Sequence, residues 1–332
     1  MSSPLRRREL LQCLGAGMAG AASVGTARAG ETAATRPAVG TIKDLPTRKL
    51  GRIGIRVPVL SFGSAPMGHA FYRAEPFEEV TLAAIEAGIT YIDTAPVYDV
   101  AQERLGPIVA KHRKELFLVT KSMGRTRDDV LRDIDKSLAH LQTDHADLAH
   151  LHNIGQHETE HLLGKGGALE GMLEAKKRGW IRHIGGSGHL RPARFLPVIE
   201  TGEIDLLMLA MNFVDRHTYN FEERVLPAAR KHGCAIVCMK VLGGVTGSWD
   251  GYKKRRPGRL VSDEYRQMAF DYALSIPDVS TLVVGMKSLE ELRLIIAAAR
   301  AARPLDGERL AQVIAKGKEL AAEWGEHFGP VT

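Results

Sequence analysis

Cysteine is scarce in this 332-residue chain: three residues, at positions 13, 234 and 238. Cys234 and Cys238 lie four apart on one presumed strand, on the same face and too far apart along an extended chain to bridge easily. Their neighbourhood supplies no further metal ligands, so both read as packing residues. Long apolar runs are missing too. The stretch from about Leu10 to Val24 is short and rich in Ala and Gly, which makes it a poor membrane anchor, and no other segment is apolar enough to span a bilayer. Excess charge is small. The formal net charge is +6, and residues 1–29, with four Arg against one Glu, hold +3 of it. The remainder is too mild to point to nucleic acid. A G-x-G-x-x-G fingerprint is also absent, since Gly63–Gly68 reads GSAPMG, and with it goes the main support for a dinucleotide-binding open sheet. What is present, 44% hydrophobic and 25% charged residues with 34 Gly, is ordinary for a soluble globular protein and ample for one large core.

The first thirty residues read as an address. Arg7-Arg8, then Leu10-Leu11 and the apolar stretch, then Ala27-Arg28-Ala29 follow the order of a basic start, an apolar middle and an A-x-A cleavage pattern. The arginine pair resembles that of a twin-arginine signal. Residues 1–29 are therefore expected to be a signal peptide read by export machinery, 30–44 a linker and 45–332 the folded domain. The protein is expected to be periplasmic or otherwise exported, with no stable membrane anchor. Cys13 comes too early, without small residues before it, to be a lipid attachment site. The twin-arginine route exports folded proteins, which suits a protein that must bind a cofactor before it leaves.

From residue 45 onward the chain alternates strands and helices. Leu50–Val57 (LGRIGIRV) suggests a small hairpin. Strands are then expected at Val59–Phe62, Ile89–Asp93, Leu116–Lys121, Asp147–His152, Ile181–Gly185, Asp205–Met211, Cys234–Lys240 and Thr281–Gly285. A helix follows each; Asp128–Leu141, for example, sets Val130, Leu131, Ile134, Leu138 and Leu141 at helical spacing, and Glu222–His232 follows the sixth strand. Strand starts recur about every thirty residues, the length of one βαβ step. Eight alternations in one series favour an α/β fold of the closed (β/α)8 TIM-barrel type, with an N-terminal β-hairpin and an extra C-terminal helix at Leu310–Glu323.

Three consecutive strands end on polar residues: Asp93, Lys121 and His152, with Tyr98 in the loop after Asp93. In a parallel barrel, chemistry gathers at the C-terminal rim, where neighbouring strand ends lie about 5 Å apart. Lys121 then falls between Asp93 and His152. A phenol over that ammonium has its ionised form favoured, which brings Tyr98 toward useful acid strength. Asp93 keeps Lys121 charged and in place, and a neutral His152 can orient a carbonyl oxygen. An Asp–Lys pair alone could be structural; its joint occurrence with Tyr98 and His152 argues otherwise. No activated Ser or Cys and no acid pair for glycoside cleavage accompanies the set. His150 and His152 share a face, but an H-x-H without a third ligand does not make a metal site, so His150 reads as interior packing and no metal is expected. A proton donor aimed at a carbonyl needs a hydride source, which implies a nicotinamide cofactor.

Asp93-x4-Tyr98 followed by Glu103-x-Leu105-Gly106, with Lys121 and His152 at strand ends, resembles the aldo-keto reductase superfamily from about Thr47 to Ala299. The resemblance implies that Asp93, Tyr98, Lys121 and His152 form a catalytic tetrad, with Tyr98 the general acid in reduction and the base in oxidation. It also implies a cofactor extended across the barrel mouth, NADP in the first place and NAD as the alternative. Ser187 matches the family's carboxamide-binding Ser, whereas Gly188-His189 replaces its amide partner. Met208 stands where a Gln is usual. Met239 and Lys240, with Leu242 beyond, take the place of the aromatic that stacks on nicotinamide, and a thioether can still cover a ring face. A Met-Lys ending also marks a branch with a Cys-rich appendage, although this chain has no Cys after 238. Gly285, Lys287 and Ser288 open the eighth helix, where the family holds the adenosine 2′-phosphate and where helix N–H groups suit an anion. Glu291 stands there in place of a basic or amide residue. The loop with Trp249, Tyr252, Lys253, Lys254, Arg255 and Arg256 could close over a pyrophosphate, and Phe71, Tyr72, Phe213 and Trp249 are expected at the mouth.

Two classes of function follow. One is an NAD(P)-dependent oxidoreductase interconverting an alcohol and a small-molecule carbonyl, whether aldehyde, ketone or sugar. The other is a catalytically weak nicotinamide-binding accessory or regulatory subunit, suggested by the changed stacking and amide positions. A barrel isomerase or lyase is weaker, because the tetrad makes little sense without hydride transfer.

Overall fold

The computed structural model describes residues 45–247, 254, 256 and 258–332. The expected signal peptide and linker, and Trp249, Tyr252, Lys253 and Arg255 of the basic loop, lie outside the described residues. Strands buried on both faces must be covered by helices on one side and by one another's side chains on the other, and the chain meets that demand by closing a ring. After the hairpin strands β1 (Thr47–Lys49) and β2 (Arg56–Pro58) come β3 (Leu60–Gly63), α1 (Ala74–Glu86), β4 (Tyr91–Asp93), α2 (Ala101–His112), β5 (Phe117–Ser122) and α3 (Arg127–His140). Next are β6 (Ala146–Leu151), α4 (Thr159–Leu163), α5 (Ala168–Lys177), β7 (Ile181–Gly188), α6 (Phe195–Glu200) and β8 (Leu206–Ala210). The series ends with α7 (Phe221–Arg224), α8 (Leu226–Lys231), β9 (Ala235–Met239), α9 (Asp263–Ser275), β10 (Val279–Val284), α10 (Leu289–Ala301) and α11 (Gly307–Trp324). Strands β3 to β10 form a closed barrel, sealed where Leu282 of β10 registers with Leu60 of β3. The (β/α)8 architecture, the hairpin and the outer C-terminal helix are as the sequence pattern implies.

Side-chain alternation divides the core in two. Tyr91, Val119, Leu148, Met208 and Val237 fill the barrel, while Ile92, Leu118, Leu207 and Ile236 face the helices. Cys234 and Cys238 are free thiols in the outer layer. Phe213 is a correction: it is fully buried in the outer layer, edge-on to Tyr272 at 6.3 Å, and not at the mouth. It follows Leu207, Leu209 and Met211 in the outward parity of β8, which points it under the helices. The single helix expected over Glu222–His232 is two helices, α7 and α8, because Pro227 lacks a donor and crowds the carbonyl four residues back; the helix restarts with the proline in its first turn.

The hairpin closes the N-terminal end of the barrel. Leu50 and Val57 join the interior cluster, and Gly51, at φ 43°, lies so close to β9 that a Cβ there would sit 2.5 Å from the Ala235 backbone. Arg52 clamps the hairpin to Asp205 at 3.0 Å and to the carbonyls of Gly202 and Ile204. At the opposite end, residues 325–332 turn back from α11 to the mouth. The Tyr219 hydroxyl donates to the Gly329 carbonyl (3.0 Å) and accepts from the Phe328 N–H (2.8 Å). His327 meets Asp215 at 2.7 Å, and the Arg191 N–H donates to the Pro330 carbonyl at 3.2 Å. Among the described residues, no helix is long and apolar enough to cross a membrane.

Candidate active site

Three adjacent strand ends and one loop build the site. β4 ends on Asp93 and registers Asp93 with Val119 of β5, and β5 registers Lys121 with His150 of β6. All of these point inward, so Asp93, Lys121 and His152 come to one end of the barrel. Lys121 is completely buried. Its ammonium donates to both Asp93 oxygens, at 2.6 and 2.7 Å, and to the Thr94 carbonyl at 2.8 Å, which engages all three of its protons. The same nitrogen lies 4.8 Å from the centre of the Tyr98 ring. That ring meets His152 edge-on, with centroids 6.1 Å apart and planes at 85°. All four residues of the expected tetrad are thus in one place.

Electrostatics follow from depth. Burial pushes the Asp93 carboxyl up and the Lys121 amine down, and their mutual contact works against both shifts. Burial, followed by the Lys121 charge, holds His152 well below the usual imidazole range, so this ring is neutral. Its backbone is tied from outside, for His157 Nε2 lies 3.1 Å from the His152 carbonyl. His150 is buried one layer down, also with its pKa pushed well below the usual range by burial, against the pull of the Gly186 backbone. No group of three or more possible metal ligands occurs among the described residues.

Over the tetrad opens a cavity of about 810 Å³. Asp93, Tyr98 and His152 form part of its wall; Lys121 lies beneath it. Of the residues expected to touch a cofactor, Met208, Met239, Lys240 and Leu242 line it on one side, and Gly285, Lys287 and Glu291 on another. Ser187 is wholly buried, registers with Met208, and has an unpartnered hydroxyl. Ser288 serves its own helix instead, its hydroxyl accepting the Glu291 N–H at 3.1 Å as the cap of α10. Glu291 in turn accepts the Lys287 N–H at 2.7 Å and approaches Lys287 Nζ at 3.8 Å. Arg256 of the basic loop lines the cavity. Tyr72 does so too, while Phe71 is 40% exposed and packs on Tyr72.

Several lining residues went unnoticed in the sequence. Asn153 follows His152 in a left-handed conformation (φ 55°, ψ 53°) that Asn tolerates better than most residues, and its Oδ1 lies 3.0 Å from His189 Nδ1. Phe328 is carried in by the 325–332 segment and packs on His189 at 5.1 Å. An Asn after a strand-end His was a usable signal; for Phe328 there was none, because nothing local ties it to a strand end.

The sequence pattern described as the aldo/keto reductase family matches residues 59–318. The chain belongs to that family. This aldo/keto reductase is 26% identical over 300 residues to "Uncharacterized oxidoreductase YqkF" of Bacillus subtilis, a match covering 79% of this chain and 93% of the other. It is 25% identical over 314 residues to pyridoxal 4-dehydrogenase of Microbacterium luteolum, covering 74% and 90%. The fold matches that of an aldo-keto reductase of Bacillus halodurans, in its holo form, with a TM-score of 0.66 at 22% identity, over 82% of this chain and 96% of that one. As a member of the family the protein is an NAD(P)H-dependent oxidoreductase that acts between carbonyls and alcohols.

Proposed function

We propose that this reductase interconverts a small-molecule aldehyde, ketone or sugar carbonyl and its alcohol with Tyr98 as general acid and base. The observation that carries the reading is the placement of the Tyr98 ring over a Lys121 ammonium locked by Asp93, with neutral His152 at its edge. The ammonium favours the phenolate and so acidifies the phenol. In reduction, Tyr98 gives its proton to the carbonyl oxygen while His152 holds that oxygen; in oxidation, Tyr98 takes the alcohol proton. The residues present fit a nicotinamide: Met208 and Met239 line the cavity and offer thioethers to a ring face, and the unpartnered Ser187 hydroxyl, buried behind the lining beside Met208, is a group a carboxamide would satisfy. A bound nicotinamide supplies or accepts the hydride. Tyr98→Phe should lower kcat by roughly a hundredfold or more, the scale of a lost general acid, while nucleotide binding persists. Undiminished turnover in this variant would refute the assignment, and tight nucleotide retention without turnover by the native protein would favour the accessory-subunit reading.

Cofactor choice follows from α10. A 2′-phosphate at that helix start would meet Glu291, whose carboxylate already accepts the Lys287 N–H. The chain's own anion occupies the helix terminus, which supports NAD over the NADP expected from the family at large. Glu291→Gln should shift the ratio of kcat/KM values toward NADPH; an unchanged ratio removes Glu291 from the choice. We further propose that residues 1–29 act as a twin-arginine export signal. Fractionation of cells expressing the native chain and an Arg7→Lys, Arg8→Lys variant tests this, and identical distribution would oppose it.

A further inference from the structure

His189 has one ring nitrogen committed and one to spare. Asn153 Oδ1 lies 3.0 Å from Nδ1, and because the Asn153 amide nitrogen turns toward Met123 Sδ at 3.9 Å, its oxygen is the acceptor and Nδ1 carries the proton. Phe328 packs against the ring and fixes its tilt. The ring borders the cavity, and with the proton on Nδ1 the second ring nitrogen, Nε2, keeps its lone pair as an acceptor. Burial, then the charges of Lys240 and Lys121, keep the ring neutral, which preserves that lone pair at neutral pH.

Its position along the barrel is equally defined. Leu151 registers with Gly186, so His152 stands one residue and His189 three residues past the same rung. β7 ends at Gly188, so His189 stands just beyond the strand end, on the entrance side of His152. An acceptor on that side of the tetrad would face substrate atoms beyond the carbonyl oxygen that His152 and Tyr98 would hold. We propose that His189 Nε2 accepts a hydrogen bond from a substrate hydroxyl, so that the site selects carbonyl compounds hydroxylated beside the reacting carbon over their alkyl analogues. Asn153 is the positioning residue that holds the tautomer. Met123, Leu190 and Phe328 make the nearby wall largely apolar, with the Gln156 amide as the other polar group on that side.

The inference rests on the reductase reading above, and the experiment separates the two. Wild type, His189→Phe and His189→Gln are compared for kcat/KM on glyceraldehyde and propanal, with nucleotide Kd measured by fluorescence and folding checked by thermal melting. Wild type should favour glyceraldehyde, His189→Phe should cut the glyceraldehyde-to-propanal ratio about tenfold, the scale of one hydrogen bond left unmade in a closed site, and His189→Gln, which keeps an acceptor, should restore part of it. A ratio unmoved in both variants overturns the proposal. So does an equal fall on both aldehydes matched by weaker nucleotide binding, which would assign His189 to the cofactor. Should wild type reduce neither aldehyde nor oxidise the matching alcohols while still binding nucleotide, the reductase reading itself fails and takes the proposal with it.

Discussion

Replacing Lys121 with Met removes the cation but keeps most of the buried stem. Asp93, 3% exposed, would lose both of its ammonium contacts and the Thr94 carbonyl its donor. Breaking one side of a buried ion pair costs about 3–5 kcal/mol. An independent limit comes from linkage: the stranded carboxyl can escape by taking a proton, and at pH 7 protonating a group whose unfolded pKa is ~3.9 costs about 4 kcal/mol at 1.36 kcal/mol per unit. The two figures agree, so at neutral pH the variant should fold with a protonated Asp93 and about 4 kcal/mol less stability. The sign of the pH dependence is then determined. A carboxyl whose folded pKa is raised above its unfolded value contributes stability at low pH and loses it as pH rises through that folded pKa. The deficit should therefore shrink by about 1.4 kcal/mol per unit as pH falls from 7 toward 4. Urea unfolding at several pH values measures it, and Lys121→Met with Asp93→Asn should recover most of the loss without recovering turnover. A deficit that stays flat with pH, or a single variant as stable as wild type, would show that the buried pair does not carry the energy assigned to it.

Other consequences are open to measurement. Because His152 is held well below the usual imidazole range by burial, kcat/KM for reduction should not titrate at ~6.5; a loss of activity on acidification with that apparent pKa, absent in His152→Gln, would mean the ring titrates as an ordinary imidazole. Asp205 is resisted by burial, yet His183, the Ile184 N–H, Lys176 and Arg52 together depress its pKa. A depressed carboxyl stabilises above its unfolded pKa and loses that stability as pH falls through the folded one. Asp205→Asn should therefore cost about 1–3 kcal/mol at pH 7, and the gap from wild type should narrow below pH ~4 in urea titrations. Gly317→Ala would place a Cβ 1.9 Å from the Phe213 carbonyl, so α11 must shift; a destabilisation of about 1–3 kcal/mol should appear as a lowered melting temperature, and an unchanged one would deny the close approach.

Much of the site could be read in the chain because each barrel strand is a short apolar run and three of them stop on a polar residue. Asp93, Lys121 and His152 declare themselves at the point where apolar alternation ends, and lateral neighbourhood in a parallel ring does the rest. What escaped notice depends on parity or on distance in the chain. Phe213 looked like a mouth residue by proximity to β8, yet counting from Leu206 puts it on the outer face. Pro227 announced the break between α7 and α8, but apolar spacing through it was the stronger pattern. Ser288 and Glu291 lie at the start of α10 as the sequence placed them; that the Ser288 hydroxyl caps the helix and the Glu291 carboxylate accepts the Lys287 N–H is a matter of rotamers that no spacing displays.

The returning segment at 325–332 divides responsibility for the pocket between two parts of the chain. A protein cut after Trp324 would keep every strand of the ring and all four tetrad side chains, yet its chamber would lack Phe328, the aromatic that packs on His189. The scaffold and the shape of the chamber are therefore separable by truncation, one owed to the strands and the other to a segment that no strand carries.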